Sequence, residues 1–264
     1  MPDTLPSRIV DTHHHVYDAS IAPYPGTRPP PDAPLSAYAV LRARLGITHH
    51  VLVQPSTYGF DNALHLAAHA VAPERSRVVA VLPPDTDAAQ ARRLTRAGVL
   101  GLRANLTHHV PLAPEDIPAL GRLCADQGWH LQVFARADLL AAMAPSLRAL
   151  PCPLVLDHFA MLPPDGFATH PAWPLVADLL GAGRAWVKLS SPYALPSGDT
   201  APLIRALAAA GAGQLLWGTN WPHPNTDAPQ DEAALQDAAL APLTSAQRTA
   251  VLWDNPARLY GFGA

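Results

Sequence analysis

Short apolar runs recur along the chain, and longer stretches with the hydrophobic spacing of amphipathic helices separate them. The runs predict eight strands, near residues 8–16, 49–54, 77–82, 100–104, 130–134, 154–158, 185–189 and 214–218. The helical spacing predicts helices over residues 61–71, 88–96, 114–127 and 138–149. The strands start about 23 to 41 residues apart, which is typical of strand–helix units whose parallel strands are buried on both faces.

Eight strands that alternate with helices place the chain in the α/β class and predict a closed (β/α)8 TIM barrel. The 264 residues match the length of one such barrel, about 250 residues, so we expect a single domain over residues 1–264. The alternative is an open doubly wound sheet, which normally carries a glycine-rich phosphate turn after its first strand. The first predicted strand runs instead into His13, His14 and His15. The proline-rich stretch 23–34 is interpreted as a loop over the mouth of the barrel.

The composition describes an ordinary globular protein and excludes several classes of partner. Hydrophobic residues make up 49% and charged residues 15% of the chain, which is enough apolar material for a buried core. A net charge of −3 provides no basic surface for nucleic acid. The sequence shows neither a long apolar span nor a secretory leader, and its two cysteines, Cys124 and Cys152, cannot form a disulfide framework. We therefore expect a soluble, cytoplasmic protein that binds neither membrane nor nucleic acid.

Polar side chains follow most of the predicted strands, at the end of the barrel where such enzymes carry their active sites. Strand alternation places His13 and His15 on one face and His14 on the other. The other strand ends supply Gln54, Ser56, Tyr58, Arg103, His158, Lys188, Asn220 and His223. Because these ends meet at one barrel mouth, we expect His13, His15, His158 and Asn220 to converge there.

Each of these residues also has a structural explanation. Paired histidines can be hydrogen-bonded core residues, Arg103 can pair with a carboxylate, and Lys188 can be an interior cation that bridges strands. Asp11 and Asp157 are expected to brace the histidine-bearing strands by hydrogen bonding. We assign no catalytic role to the remaining histidines that the sequence places elsewhere, His49, His50, His65, His69, His108 and His170.

Five motifs occur in order along the chain: VDTHHHV (10–16), VQPSTYGFDN (53–62), LDH (156–158), VKLS (187–190) and GTNWPHP (218–224). Together they resemble the amidohydrolase superfamily, in the branch that contains 2-pyrone-4,6-dicarboxylate lactonase and sugar lactonases. The resemblance covers the whole chain. Lys188, the one lysine of the sequence, falls on the lysine that the family carries on its seventh strand.

The resemblance implies a hydrolase that opens a lactone, or a related carboxylic ester of a small organic acid, with activated water. Its catalytic residues would be His13, His15, His158 and the residue at position 220, with the histidines stabilising the oxyanion. The expected substrate contacts are Gln54, Ser56, Tyr58, Arg103, Lys188 and His223. No cofactor is expected. The alternative is a single divalent metal such as Zn held by the three histidines, because the fourth and fifth strands end without the lysine or glutamate of a binuclear centre.

Position 220 departs from the family, which has aspartate where this chain has Asn220. An amide cannot accept a proton near neutral pH, so Asn220 cannot be a general base. One interpretation is an engineered, nearly isosteric replacement, which the otherwise intact centre favours; restoring the aspartate would then raise the catalytic rate. The other is that the natural protein uses a different base, for which His223 is the candidate.

A second departure concerns the arginines that surround a dicarboxylate substrate in the family. Arg103 is retained, but ungapped local matching places His109, Met161 and Ala194 where further arginines are expected. A less cationic pocket predicts a substrate with at most one carboxylate.

Two rival functions remain at this point. The chain could be a metal-dependent amidohydrolase or decarboxylase of the same superfamily, which stoichiometric metal after purification would favour. It could also be a catalytically inactive protein that binds a small carboxylated ligand, in which case aspartate at position 220 would restore no turnover.

Overall fold

The protein is described by a computed structural model over residues 6–107, 111–224 and 226–263. Eight parallel strands form one sheet in which each strand pairs with the next along the chain. They are β1 (Val10–His14), β2 (His49–Val53), β3 (Ser76–Ala80), β4 (Val99–Asn105), β5 (His130–Phe134), β6 (Leu154–Leu156), β7 (Ala185–Leu189) and β8 (Leu215–Trp217). All eight predicted strands are confirmed.

Hydrogen bonds between β8 and β1 bring the two ends of the sheet together. The Thr12 hydroxyl donates to the Trp217 carbonyl at 2.7 Å. The backbone amide of Asn220 donates to the His13 carbonyl at 2.7 Å. The Asp11 carboxylate reinforces the seam, since it accepts from the backbone amide and hydroxyl of Thr219 at 3.0 and 2.6 Å. The structure is therefore a (β/α)8 barrel and not an open doubly wound sheet.

Helices cover the outside of the barrel. They are α1 (Leu35–Arg44), α2 (Ala63–Val71), α3 (Ala88–Arg96), α4 (Ile117–Gln127), α5 (Ala137–Ala142), α6 (Ala144–Arg148), α7 (Trp173–Gly181), α8 (Thr200–Gly211), α9 (Glu232–Leu240), α10 (Ser245–Thr249) and α11 (Asn255–Tyr260). The helix predicted over 138–149 is two short helices, because the backbone leaves helical geometry at Met143. Within the described part of the chain, no helix is long and apolar enough to cross a membrane.

Among the strands that end earlier than predicted, β6 and β8 are followed by backbone in the left-handed region. After β6, the four residues 158–161 all have positive φ, between 49° and 58°. After β8, Asn220 has φ 58°. Non-glycine residues in this region are strained, and such strain concentrates at functional sites. His158 and Asn220 thus lie on turns above the barrel and not within its strands.

The proline-rich segment lies on the same side of the barrel as these turns. Tyr17, which follows β1, pairs with Ala33 across an isolated antiparallel bridge. The Tyr24 amide donates to the Thr57 carbonyl, in the turn after β2, at 2.7 Å. Because both contacts are made beyond the carboxyl ends of strands, the segment covers that end of the barrel, as its composition predicted.

Candidate active site

The structure brings three of the expected histidines together. The ring centroids of His13 and His15 lie 5.1 Å apart, and those of His13 and His158 lie 4.8 Å apart. All three side chains are almost completely buried. His14 points to the opposite face, where its ring stacks on Tyr38 at 3.7 Å. The alternation expected from the sequence is therefore present.

The hydrogen bonds of these rings decide what each can offer to a ligand. His15 Nδ1 lies 2.7 Å from the Val53 carbonyl oxygen, which can only accept, so Nδ1 carries the proton. Burial, helped by the Arg103 guanidinium, lowers the pKa of His15 well below its usual value, so the ring is neutral and Nε2 presents a lone pair. This arrangement disfavours the oxyanion-stabilising role expected for His15 and suits acceptance of a hydrogen bond or ligation of a metal.

His158 has a partner of a different kind. Its Nδ1 lies 2.8 Å from the Ser190 hydroxyl, which can donate as well as accept. Burial lowers the pKa of His158 to about 4, so its ring is also neutral. If Ser190 donates to Nδ1, His158 carries its proton on Nε2 and can donate it to a substrate oxygen.

Asp157 ties the histidine cluster to two cations. Its carboxylate oxygens lie 3.3 Å from His13 Nδ1, 3.1 Å from Arg103 Nε and 3.9 Å from Lys188 Nζ. Burial alone would raise the pKa of Asp157, but these three neighbours hold it well below its usual value. The carboxylate therefore stays ionised and braces the strand ends, as the sequence predicted.

Lys188 is an interior cation. Its ammonium group donates to the Thr12 carbonyl and to Gln132 Oε1, both at 2.8 Å. The side chain is fully buried, and this burial lowers its pKa to about 7. These contacts join β7 to β1 and β5 and fit the structural explanation for Lys188 better than the expected substrate contact.

Arg103 uses only part of its hydrogen-bonding capacity within the described residues. Its Nε serves Asp157, and its guanidinium lies 5.4 Å from the centre of the Phe134 ring. Its two terminal nitrogens make no hydrogen bond to any residue that the structure describes. Two parallel N–H donors of this kind match the oxygens of a carboxylate.

The residues expected from the turn after β2 are engaged in holding loops. Gln54 Nε2 donates to the Asp61 carbonyl at 2.7 Å. The Tyr58 hydroxyl bonds the backbone of Asp18 at 2.8 and 3.1 Å. Ser56 accepts a hydrogen bond from Asn105 at 2.8 Å. Substrate binding by Gln54, Ser56 and Tyr58 stays a prediction, and the contacts of Gln54 and Tyr58 favour a structural role.

Asn220 is buried and bonded to a residue that sequence reasoning missed. Asn220 Nδ2 donates to the Tyr193 hydroxyl at 2.8 Å, and that hydroxyl lies 2.9 Å from His223 Nδ1. Tyr17 was also missed; its ring centroid is 5.9 Å from that of His15. Position 17 continues the alternation of positions 13 and 15, so the strand period could have indicated it. Tyr193 carried only the weaker signal of a polar residue in the turn after β7.

Two of the three positions that lack an expected arginine lie within the described residues. Met161 packs against the hydrophobic core, and Ala194 ends a short 3-10 turn after β7. His109 lies outside the described residues. Neither Met161 nor Ala194 can supply a cation.

The donor atoms fit a single divalent metal ion. Among the described residues, the group with metal-ligating spacing is His13, Asp157 and His158, whose candidate ligand atoms lie within 4.8 Å of one another. It contains Asp157 where the sequence analysis expected His15. His13 Nε2 is buried and has no hydrogen-bond partner among these residues, and its Nδ1 faces a carboxylate, as metal-bound imidazoles usually do.

The comparisons with known proteins agree with the motifs. The family model described as amidohydrolase matches residues 10–262, and the chain belongs to that family. A 2-pyrone-4,6-dicarboxylate hydrolase of Comamonas testosteroni is 31% identical over 97% of this chain and 91% of its own. A 4-sulfomuconolactone hydrolase of Rhizobium radiobacter is 30% identical over the same shares of the two chains.

Solved structures show the same barrel. A protein of Acinetobacter baumannii, described as a probable 2-pyrone-4,6-dicarboxylic acid hydrolase with citric acid bound, superposes with a TM-score of 0.82. It is 25% identical, and the match covers 96% of this chain and 99% of that one.

Proposed function

We propose that this protein hydrolyses the lactone of a small organic acid that carries one carboxylate. The observation that carries the proposal is the pairing of Arg103, whose terminal donors are free, with the neutral ring of His158 beside it. Arg103 suits the anionic substituent of the substrate, and His158 suits the ester carbonyl. The relatives named above as lactone and pyrone hydrolases support this class of substrate.

The local charge supports a single anionic group on the substrate. Asp157 neutralises part of the positive charge of Arg103 and Lys188, and burial leaves Lys188 with a pKa of only about 7. At neutral pH Lys188 is about half protonated, so the site has an excess of about half a positive charge. A second carboxylate would meet no further arginine at position 161 or 194.

The roles of the chain's own residues follow from their protons. Arg103 holds the substrate carboxylate, and His158 donates from Nε2 to the carbonyl oxygen as negative charge develops there, which is worth a few kcal/mol per good donor. His15 presents a lone pair at Nε2 that accepts a hydrogen bond from the attacking water. If a divalent ion were held by His13 and His158, His158 would give its Nε2 lone pair to the ion, which would supply Lewis-acid polarisation of the carbonyl in place of the His158 proton.

A panel of four compounds tests the proposal: a five-membered lactone with one carboxymethyl group, 4-sulfomuconolactone, 2-pyrone-4,6-dicarboxylate and the neutral γ-butyrolactone. We expect ring opening, with the highest kcat/KM for the first compound. Loss of carbon dioxide from any of the four would favour the decarboxylase. Saturable binding without turnover would favour the inactive binding protein. Elemental analysis of the same preparation shows whether metal accompanies the activity.

A further inference from the structure

The proposed hydrolysis needs a group that takes a proton from water, and Asn220 cannot do so. Beside it lies an ordered chain of polar groups: Asn220, then Tyr193, then His223, then Glu232. The contacts are 2.8 Å from Asn220 Nδ2 to the Tyr193 hydroxyl, 2.9 Å from that hydroxyl to His223 Nδ1, and 3.5 Å from His223 Nε2 to Glu232 Oε1. This is a hydroxyl, an imidazole and a carboxylate in line.

The direction of each hydrogen bond follows from the donors that are present. Asn220 Nδ2 and the Ser191 hydroxyl both donate to the Tyr193 oxygen, at 2.8 and 3.3 Å. The single proton of Tyr193 is therefore directed to His223 Nδ1. His223 then carries its own proton on Nε2, which lies 3.5 Å from the Glu232 carboxylate and makes no hydrogen bond to any of the described residues.

We infer that Tyr193, with His223 and Glu232 behind it, is the proton acceptor of this site and replaces the aspartate of related enzymes. The inference rests on the proposed lactone hydrolysis. In the attacking step, water takes the place of the Ser191 hydroxyl, whose 3.3 Å contact with the Tyr193 oxygen is the longer of the two, and gives a proton to that oxygen while Tyr193 passes its own proton to His223 Nδ1. The water oxygen bonds to the carbonyl carbon. When the ring C–O bond breaks, the same proton returns through Tyr193 to the ring oxygen, so the relay ends as it began.

Asparagine at position 220 has a specific function in this arrangement. A carboxylate there would accept the Tyr193 proton and draw it away from His223, whereas the amide donates to Tyr193 and keeps that proton on His223. The backbone amide of Asn220 bonds the His13 carbonyl at 2.7 Å, which ties the turn that carries the Asn220 side chain to strand β1. Asn220 is thus a positioning residue and Tyr193 the catalytic one.

The surroundings of His223 suit a transient positive charge. Glu232 begins α9 and is mostly buried, and it also pairs with the exposed Arg44. The Glu232 carboxylate is the charged group that faces His223. The Tyr193 ring packs edge-on against the His223 ring, and the two ring centroids lie 5.5 Å apart. By contrast, the Arg103 guanidinium opposes protonation of His15, whereas His13 has both Asp157, which favours its protonation, and Lys188, which opposes it. The Glu232 carboxylate, 3.5 Å from Nε2, favours a transient proton on His223.

Four single variants test the relay, using the panel lactone that the unaltered protein opens fastest. We expect Tyr193→Phe and His223→Gln to lower kcat by about 10²–10⁴-fold, the usual contribution of acid–base catalysis, with KM little changed. Burial lowers the pKa of His223 and Glu232 raises it. Glu232→Gln should therefore move the acid limb of the kcat profile to lower pH, because activity needs neutral His223. Tyr260→Phe is the matched control, since its buried hydroxyl has no partner among the described residues.

A double-mutant cycle distinguishes the relay from the alternative that Asn220 is an inactivating replacement of a catalytic aspartate. The relay predicts that Tyr193→Phe has a large effect beside Asn220 and a small one in the Asn220→Asp background, where the carboxylate can accept the proton directly. A rise of 10²–10⁴-fold in kcat for Asn220→Asp alone, with no effect of Tyr193→Phe in the unaltered protein, would overturn it. So would full activity of His223→Gln.

The tautomer of His223 is a readout that needs no substrate. Nitrogen-15 chemical shifts should show His223 protonated at Nε2 and unprotonated at Nδ1, and Tyr193→Phe should remove that preference. Protonation at Nδ1 overturns the relay. If no panel compound is opened while the Nε2 tautomer is found, the proposed function fails and the relay geometry stands. If lactones are opened with the Nδ1 tautomer, the function stands and the relay fails.

Discussion

Replacing Arg103 with methionine is expected to lower kcat/KM for the monocarboxylated lactone about a thousandfold. Removing one partner of a buried charged contact costs about 2–5 kcal/mol, and 4 kcal/mol corresponds to nearly three powers of ten. Most of the loss should appear in KM, since Arg103 holds a substituent that does not react. Steady-state kinetics on the carboxylated lactone and on γ-butyrolactone measure the effect.

The neutral lactone makes the Arg103 experiment specific. It has no carboxylate for the guanidinium, so its kcat/KM should change far less in Arg103→Met. Arg148→Met is a matched control, because Arg148 pairs with Asp178 at the surface at 2.7 Å and such pairs contribute about 0–1 kcal/mol. Equal losses for the charged and the neutral lactone would show that Arg103 supports the fold and does not bind the substrate carboxylate.

Replacing Asp157 with asparagine is expected to lower the free energy of unfolding by about 3–5 kcal/mol. The substitution leaves Arg103 and Lys188 buried without their carboxylate, and uncompensated buried charges cost this much. Urea denaturation followed by circular dichroism measures the change. Asp178→Asn, which removes an exposed partner, should cost no more than about 1 kcal/mol.

A second substitution tests whether the unpaired buried cations cause the loss of stability. In the Asp157→Asn background, Lys188→Met removes one of the two stranded cations and should recover part of the lost stability. The pH dependence has a defined sign as well. Because the pKa of Asp157 is lower in the folded protein, its contribution is present above the unfolded pKa, near 3.8, and is lost as the pH falls through the folded value. Strictly additive losses in the double variant would contradict the charge explanation.

The barrel was predictable from sequence because its determinants are local and periodic. Buried parallel strands are continuous apolar runs, and helix α3 was predicted with the bounds it has, Ala88–Arg96. The strand ends were predicted less well. The left-handed turns at His158 and Asn220 depend on contacts with neighbouring strands that no local pattern encodes. The turn at His158 explains why the predicted strand 154–158 was too long.

The candidate site was predictable as a set of strand-end residues but not as a set of roles. Alternation placed His13 beside His15, yet the tautomer of His15 depends on the Val53 carbonyl of the next strand. Gln54 and Tyr58 occupy the expected loop, but Gln54 bonds the backbone of that loop and the Tyr58 hydroxyl bonds the backbone of Asp18 after β1. Tyr193 gains significance only through Asn220 and His223, which are 27 and 30 positions away in the sequence, because its function depends on the order in which hydrogen bonds connect.

The most direct test of the central claim is ring opening of the monocarboxylated lactone in water enriched in oxygen-18. We expect the unaltered protein to open the ring and to place one oxygen-18 atom in the newly formed carboxylate in a single turnover. Mass spectrometry of the product measures this incorporation of oxygen-18. Ring opening or rearrangement without oxygen-18 in the product, or no turnover of the lactone at all, would contradict hydrolysis by this site.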